Sequence, residues 1–195
     1  MSDATTRMWA PVTTALLVIN VLVFITTYLS EDGIHELALV PMYLIEDPTM
    51  FAVSSLISMF LHANIVHIAF NMLALLTLGR ILEPHIGSAR FVIVYLLSGF
   101  AGTGLHTAYA FITGAGINTP VVGASGAISG VIGISAALGD RIAIYWLIAQ
   151  IPFAFAGVSP IAYFAHIGGF IFGFASGRIM LYIRRRRERY GGYYA

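Results

Sequence analysis

Ser125 stands in Gly123-Ala124-Ser125-Gly126, and two other stretches carry groups that can work with a serine hydroxyl: His67-x3-Asn71 and Ala165-His166-x2-Gly169-x3-Gly173. A serine oxygen attacks a carbonyl carbon once an imidazole takes its proton, and the oxyanion that forms needs hydrogen-bond donors. Ser125 and His166 suit the first task; His67, Asn71 and the backbone N–H of Ser125 suit the second. Competing chemistries lack their parts. The chain has no cysteine, and its one His-Glu pair, His35-Glu36-Leu37-Ala38-Leu39, lacks the second histidine of a zinc protease helix. Glu83 and Asp140 fall at the ends of apolar runs, which excludes an intramembrane pair of catalytic carboxylates. The chemistry requires no metal and no cofactor.

What must position these groups is a membrane-embedded helical bundle. Of 195 residues, 58% are hydrophobic and 10% charged, a balance foreign to a soluble domain. The first apolar run is too long and wrongly flanked for a signal peptide and reads as a retained span. A hydrocarbon core of ~30 Å takes ~20 helical residues. Residues 91–139 hold 49 without a formal charge, so the chain folds back within them, at the turn-rich residues 113–120. The 36 uncharged residues 142–177 break at residues 157–160, Gly-Val-Ser-Pro. The sequence thus predicts an all-α polytopic protein of six spans, about 11–29, 56–79, 90–112, 122–138, 142–157 and 160–182. With six spans all ten arginines share one side, the cytoplasmic one, along with both termini. Five acids of the first loop (Glu31, Asp32, Glu36, Glu46, Asp47) face outward. The arginines of residues 184–189 read as a cytoplasmic anchor on anionic lipid heads rather than a nucleic-acid site.

Depth links the reactive groups. Counted from the cytoplasmic charge of each span at ~1.5 Å per residue, Ser125 lies ~22 Å above Asp140, His67 ~20 Å above Arg80 and His166 ~18 Å above Arg178. One layer therefore holds a serine and two histidines, with Asn71 one turn below His67. Ser125 opens a span after Pro120, where free N–H groups and the helix dipole favour an anion. Gly126 and Gly130 in one span, and Gly169 and Gly173 in another, form small-xxx-small faces that allow close helix approach. Taken singly, Ser125 reads as a helix cap, and His67, Asn71 and His166 as packing or interhelical hydrogen bonds; their shared depth favours a site. His106 and Gln150 read as structural, and His62 as a stabiliser of the first loop.

With His62-x4-His67-x3-Asn71, Glu83-x3-Gly87, Gly-Ala-Ser125-Gly and Ala-His166-x2-Gly169-x3-Gly173 in this order, the chain resembles the rhomboid intramembrane serine proteases over spans two to six. The resemblance implies a single domain of residues 1–195 with an Arg-rich cytoplasmic tail at 184–195. It implies Ser125 as nucleophile, His166 as general base and acid, and His67, Asn71 and the Ser125 N–H around the oxyanion. The substrate would be a transmembrane segment of another protein, unwound near the outer face and cut after a small residue. Two departures stand out. Ser129 occupies the position, four after the serine, where the family often has an aromatic residue against the histidine. The first loop offers Pro41-Met42-Tyr43 in place of a Trp-Arg pair.

A second function class is a non-catalytic relative that binds and escorts membrane helices, for which loss of the serine or the histidine would be the sign. A third is a small-solute or proton transporter, which lacks an intramembrane carboxylate or a repeat. The expected partners are transmembrane proteins and membrane lipids, with no nucleic acid. The expected setting is a prokaryotic plasma membrane, from the small size and the lack of an organelle-targeting segment.

Overall fold

The computed structural model describes residues 10–30, 33–156 and 162–190. Within them regular structure is helical: α1 (Pro11–Tyr28), α2 (Gly33–Leu37), α3 (Tyr43–Glu46), α4 (Pro48–Ile57) with a 3-10 turn at Ser58–Phe60, α5 (Ile65–Ile86), α6 (Ser88–Thr113), α7 (Ser125–Ala137), α8 (Arg141–Ala156) and α9 (Tyr163–Tyr190). The one β-type pairing among the described residues is an isolated antiparallel bridge between Leu39 and Val121.

Helices α1, α5, α6 and α9 are long and apolar enough to cross a membrane, while α7 and α8 have 13 and 16 residues. Large apolar side chains such as Leu22, Phe70, Ile93, Phe155 and Ile171 point away from the bundle. On a soluble protein such a surface would aggregate; in lipid it is the solvated one. The short α7 is the axis. Ala127, Ile128, Val131 and Ile134 are all but fully buried, and α5, α6, α8 and α9 pack around it.

Local chemistry sets the helix ends. Pro11 starts α1, and the buried Glu83 caps it from α5, accepting from the N–H of Val12 (3.0 Å) and Thr13 (2.7 Å) and from the Thr13 hydroxyl (2.8 Å). The same carboxylate accepts from Ser88 Oγ at 2.6 Å, so one residue ties α1, α5 and α6 together. Asp47 and Asn64 cap α4 and α5 through the N–H of Met50 and His67. Asp140 accepts from Ser135 Oγ at the end of α7 and from the Ile142 N–H at the start of α8.

Three spans differ in their bounds from the sequence reading. The expected span 56–79 is broken at residues 61–64, where Asn64 starts a new helix, and that helix runs past Arg80 to Ile86. The last helix continues beyond residue 182 through the arginines to Tyr190, with Arg184 Nε 2.9 Å from Glu188 Oε1 one turn on. The reason is common to both ends: formal charge marks where a helix meets water, not where its hydrogen bonds stop. The short α7 begins at Ser125 rather than 122, because Gly123 adopts φ +134°, outside helical space. The break expected at residues 157–160, together with Arg7, Glu31, Asp32 and the tail beyond Tyr190, lies outside the described residues.

Candidate active site

The approach to Ser125 is held by backbone bonds to the first loop. Leu39 and Val121 exchange N–H to carbonyl bonds of 3.1 and 2.8 Å, Met42 N–H donates to the Ile117 carbonyl at 3.0 Å, and Gly123 N–H donates to the Ser58 carbonyl at 2.9 Å. The positive φ of Gly123 then turns the chain so that α7 starts at Ser125. Ala124, at the N-cap, provides no side-chain cap. The first N–H groups of an α-helix have no acceptor within it, so the turn that opens at Ser125 presents free donors. Ser129 Oγ donates to the Ser125 carbonyl at 2.6 Å and is thereby turned into its own helix.

His166 reaches this point because α9 lies almost backbone to backbone against α7. A Cβ on Gly169 would collide with the Gly126 carbonyl, one on Gly173 with the Gly130 carbonyl, and one on Gly130 with Ser98 Oγ. Such contacts exist only between glycine faces, and here they set the helix spacing. His166 Nε2 lies 2.8 Å from Ser125 Oγ, and His166 Nδ1 lies 3.0 Å from Gln150 Oε1 on α8. The ring also neighbours Trp146 (centroids 5.9 Å apart, 33°) and Tyr163 (6.0 Å, 81°).

His67 and Asn71 approach from α5. A single Cβ on Gly123 would touch His67 Cε1 and Nε2 at 2.8 Å and Ser125 Oγ at 3.5 Å, so the ring flanks the serine across that glycine. Asn71 Nδ2 donates to the His67 carbonyl at 2.9 Å, which occupies one amide hydrogen and fixes the side chain along the helix. Neither side chain is hydrogen-bonded to Ser125 among the described residues. His62, fully buried, packs edge-on against His67 at 5.1 Å, and neither His62 nor His106 has a hydrogen-bond partner among the described residues. Those residues contain no group of three or more His, Asp or Glu able to hold a metal ion.

Sequence reasoning missed Gln150 and Trp146, which it left as structural or unremarked. The depth count was informative for one of them: Gln150 lies nine residues above Arg141, roughly 14 Å, close to the layer of His166. Trp146 lies one turn below it on the same helix face.

Residues 51–183 match the Rhomboid domain family. Among curated proteins the chain is similar to RHOMBOID-like protein 1 of Arabidopsis thaliana, 34% identical over 67% of this chain and 34% of that protein. Rhomboid protease GluP of Bacillus subtilis is 39% identical over 58% of this chain and 23% of its own length. Rhomboid-type serine protease 2 of Emericella nidulans is 34% identical over 70% and 28%. The chain spans roughly a quarter to two fifths of the length of the curated relatives it matches. With a family match that runs from α4 into the end of α9, and so takes in every group gathered around Ser125, the chain belongs to the rhomboid family.

Proposed function

We propose that this integral membrane protein is a serine endopeptidase that cuts transmembrane segments of other membrane proteins near the outer face of the bilayer, with Ser125 and His166 as a catalytic dyad. The observation that carries the reading is the 2.8 Å approach of His166 Nε2 to Ser125 Oγ at a helix N-terminus that no side chain caps.

In this mechanism Ser125 gives its proton to Nε2 of the neutral imidazole as its oxygen attacks the scissile carbonyl carbon. The oxyanion is met by the Ser125 N–H and by donors from His67 and Asn71. The imidazolium passes the proton to the leaving amine, which leaves the acyl group on Ser125. Water, deprotonated by His166, then attacks the ester; the Ser125 oxygen departs with the proton that His166 returns, and the new carboxylic acid is freed. Gly123, Gly126, Gly130, Gly169 and Gly173 act through packing: they allow the helices and the His67 ring to come close enough for this geometry. No metal or cofactor enters a step.

We further read α7 and α8 as crossings, giving six spans within one domain and both termini in the cytoplasm. At 1.5 Å per residue they are ~20 and ~24 Å long, short for a 30 Å core, so the loop that leads into α7 (residues 114–124) lies within the bilayer's outer part and lets water reach Ser125. Exposed arginines at 80, 90, 141, 178 and 184–187 support the orientation. The apolar helices and the family support an integral multi-pass membrane protein, whereas the relatives, mostly from plants and fungi and two of them named mitochondrial, give no support to the prokaryotic plasma membrane expected from the sequence.

The test is cleavage of a reporter with one transmembrane segment, rich in small residues near its outer end, in proteoliposomes. The reading expects two fragments with the wild type and none with Ser125→Ala or His166→Ala. Stable capture of reporter helices without cleavage by any of the three would establish an escort instead.

A further inference from the structure

A neutral imidazole has one donor nitrogen and one acceptor nitrogen, and which is which decides whether it can act as a base. For Nε2 to take the Ser125 proton, it must be the acceptor, so Nδ1 must carry the hydrogen. In a low-dielectric interior that N–H needs a partner. Gln150 Oε1 stands 3.0 Å from Nδ1. The end of the amide that meets the ring follows from the other nitrogen, since only the oxygen can accept from Nδ1–H.

The ring is held from the same helix. Trp146 lies four residues before Gln150 on α8, and its indole neighbours the imidazole at 5.9 Å. Position 129 does not contribute, because its hydroxyl is bonded to the Ser125 carbonyl. His67 on α5 and His106 on α6, both imidazoles, lie within electrostatic range of His166. No carboxylate among the described residues can take the orienting role that an aspartate has in a Ser-His-Asp triad.

We propose that Gln150 is the positioning residue of the dyad: its amide oxygen accepts from His166 Nδ1–H and holds the tautomer and ring orientation in which Nε2 accepts the Ser125 proton. The inference rests on the reading of Ser125 and His166 as nucleophile and base. Since Gln150 belongs to α8, a seated α8 is then a condition for a working base, although α8 contributes no atom to the reacting bonds.

The experiment uses the full chain in detergent, labelled with 15N-histidine, in wild type, Gln150→Met, Gln150→Glu and Gln150→Asn. Methionine keeps the length without the acceptor, glutamate keeps the acceptor, and asparagine withdraws it by one methylene, ~1.5 Å. Two quantities are read: the rate of labelling by a fluorophosphonate, and the 15N shifts of the His166 ring, assigned by comparison with His166→Ala. Gln150→Met should label roughly 100-fold more slowly, with the ring signals moving toward the Nε2–H tautomer. Gln150→Glu should stay within a few-fold of wild type with the tautomer unchanged. Gln150→Asn should lose labelling and tautomer together, and serves in place of the methionine variant should that one not fold. On the reporter substrate kcat should fall in Gln150→Met with KM little changed. Wild-type labelling in Gln150→Met, or slow labelling with the tautomer unchanged, overturns the positioning role and leaves the dyad standing. Failure of the wild type itself to label overturns the dyad, and Gln150's role with it.

Discussion

Gly173 lies seven residues beyond His166 on α9, roughly 10 Å along the helix, and touches nothing that reacts. Gly173→Ala should nonetheless disable the site. The new Cβ would overlap the Gly130 carbonyl oxygen and lie 2.5 Å from its carbon and 2.6 Å from Gly130 Cα. Carbon contacts settle near 3.5 Å, so the two helices must part by about 1 Å. Backbone on both sides leaves no flexible side chain to give way. A rigid separation of that size would stretch the 2.8 Å bond between His166 and Ser125 to nearly 4 Å, past hydrogen-bond reach. Misplacement of a catalytic group by 1 Å costs on the order of 100-fold in rate, and overpacking a tight contact costs about 1–3 kcal/mol in stability. The assay is the rate of fluorophosphonate labelling in detergent, with thermal midpoint and helicity measured alongside. Gly104→Ala on α6 is the control, since a Cβ there meets nothing within 4 Å. Labelling of Gly173→Ala at the wild-type rate would refute the argument that the glycine faces of α7 and α9 set the distance between Ser125 and His166.

Gly123→Ala should lose labelling by about 100-fold or more, because a Cβ there meets the His67 ring at 2.8 Å and φ +134° is strained for alanine; wild-type labelling would contradict it. Glu83→Ala should destabilise the protein by about 3 kcal/mol, since it strips the acceptor from two N–H groups of α1 and from two hydroxyls. A denaturation midpoint equal to wild type would show that the staple at this end of the bundle carries no stability. Asp140, between α7 and α8, is held below the usual carboxylate range by the Ser135 hydroxyl and by the N–H groups of Ile142 and Ala143. Its folded value lies below its unfolded one, so its contribution is complete at neutral pH. That contribution is lost as pH falls from about 4 through the folded value. Asp140→Asn should flatten that acid limb of the thermal midpoint and leave the neutral plateau slightly lower.

The all-helical architecture was legible because apolar runs with charges at their ends leave a chain few alternatives in lipid. Where helices begin and end was less so. Residues 61–64, Leu-His-Ala-Asn, carry no formal charge to mark an end, yet Leu61 and His62 are buried in a break that Asn64 closes by capping α5. Arg80 and the arginines of 184–187 mark a membrane surface while their helices run on. The depth count that set Ser125 beside His166 worked because helical rise is constant, and the structure has them in contact. Gln150 was left as structural, because the sequence could not say which way that residue faces: α8 carries apolar side chains on almost every side. The neighbourhood of Trp146 and His166 was equally hidden, because it depends on how α8 seats against α9.

The most direct test of the central claim is the site of modification. Purified protein is treated with a fluorophosphonate, digested, and the adduct is located by mass spectrometry in wild type, Ser125→Ala and His166→Ala. The account predicts one adduct, on Ser125, in the wild type alone. An unmodified wild type at saturating probe, or an adduct on another serine that persists in both variants, would contradict it.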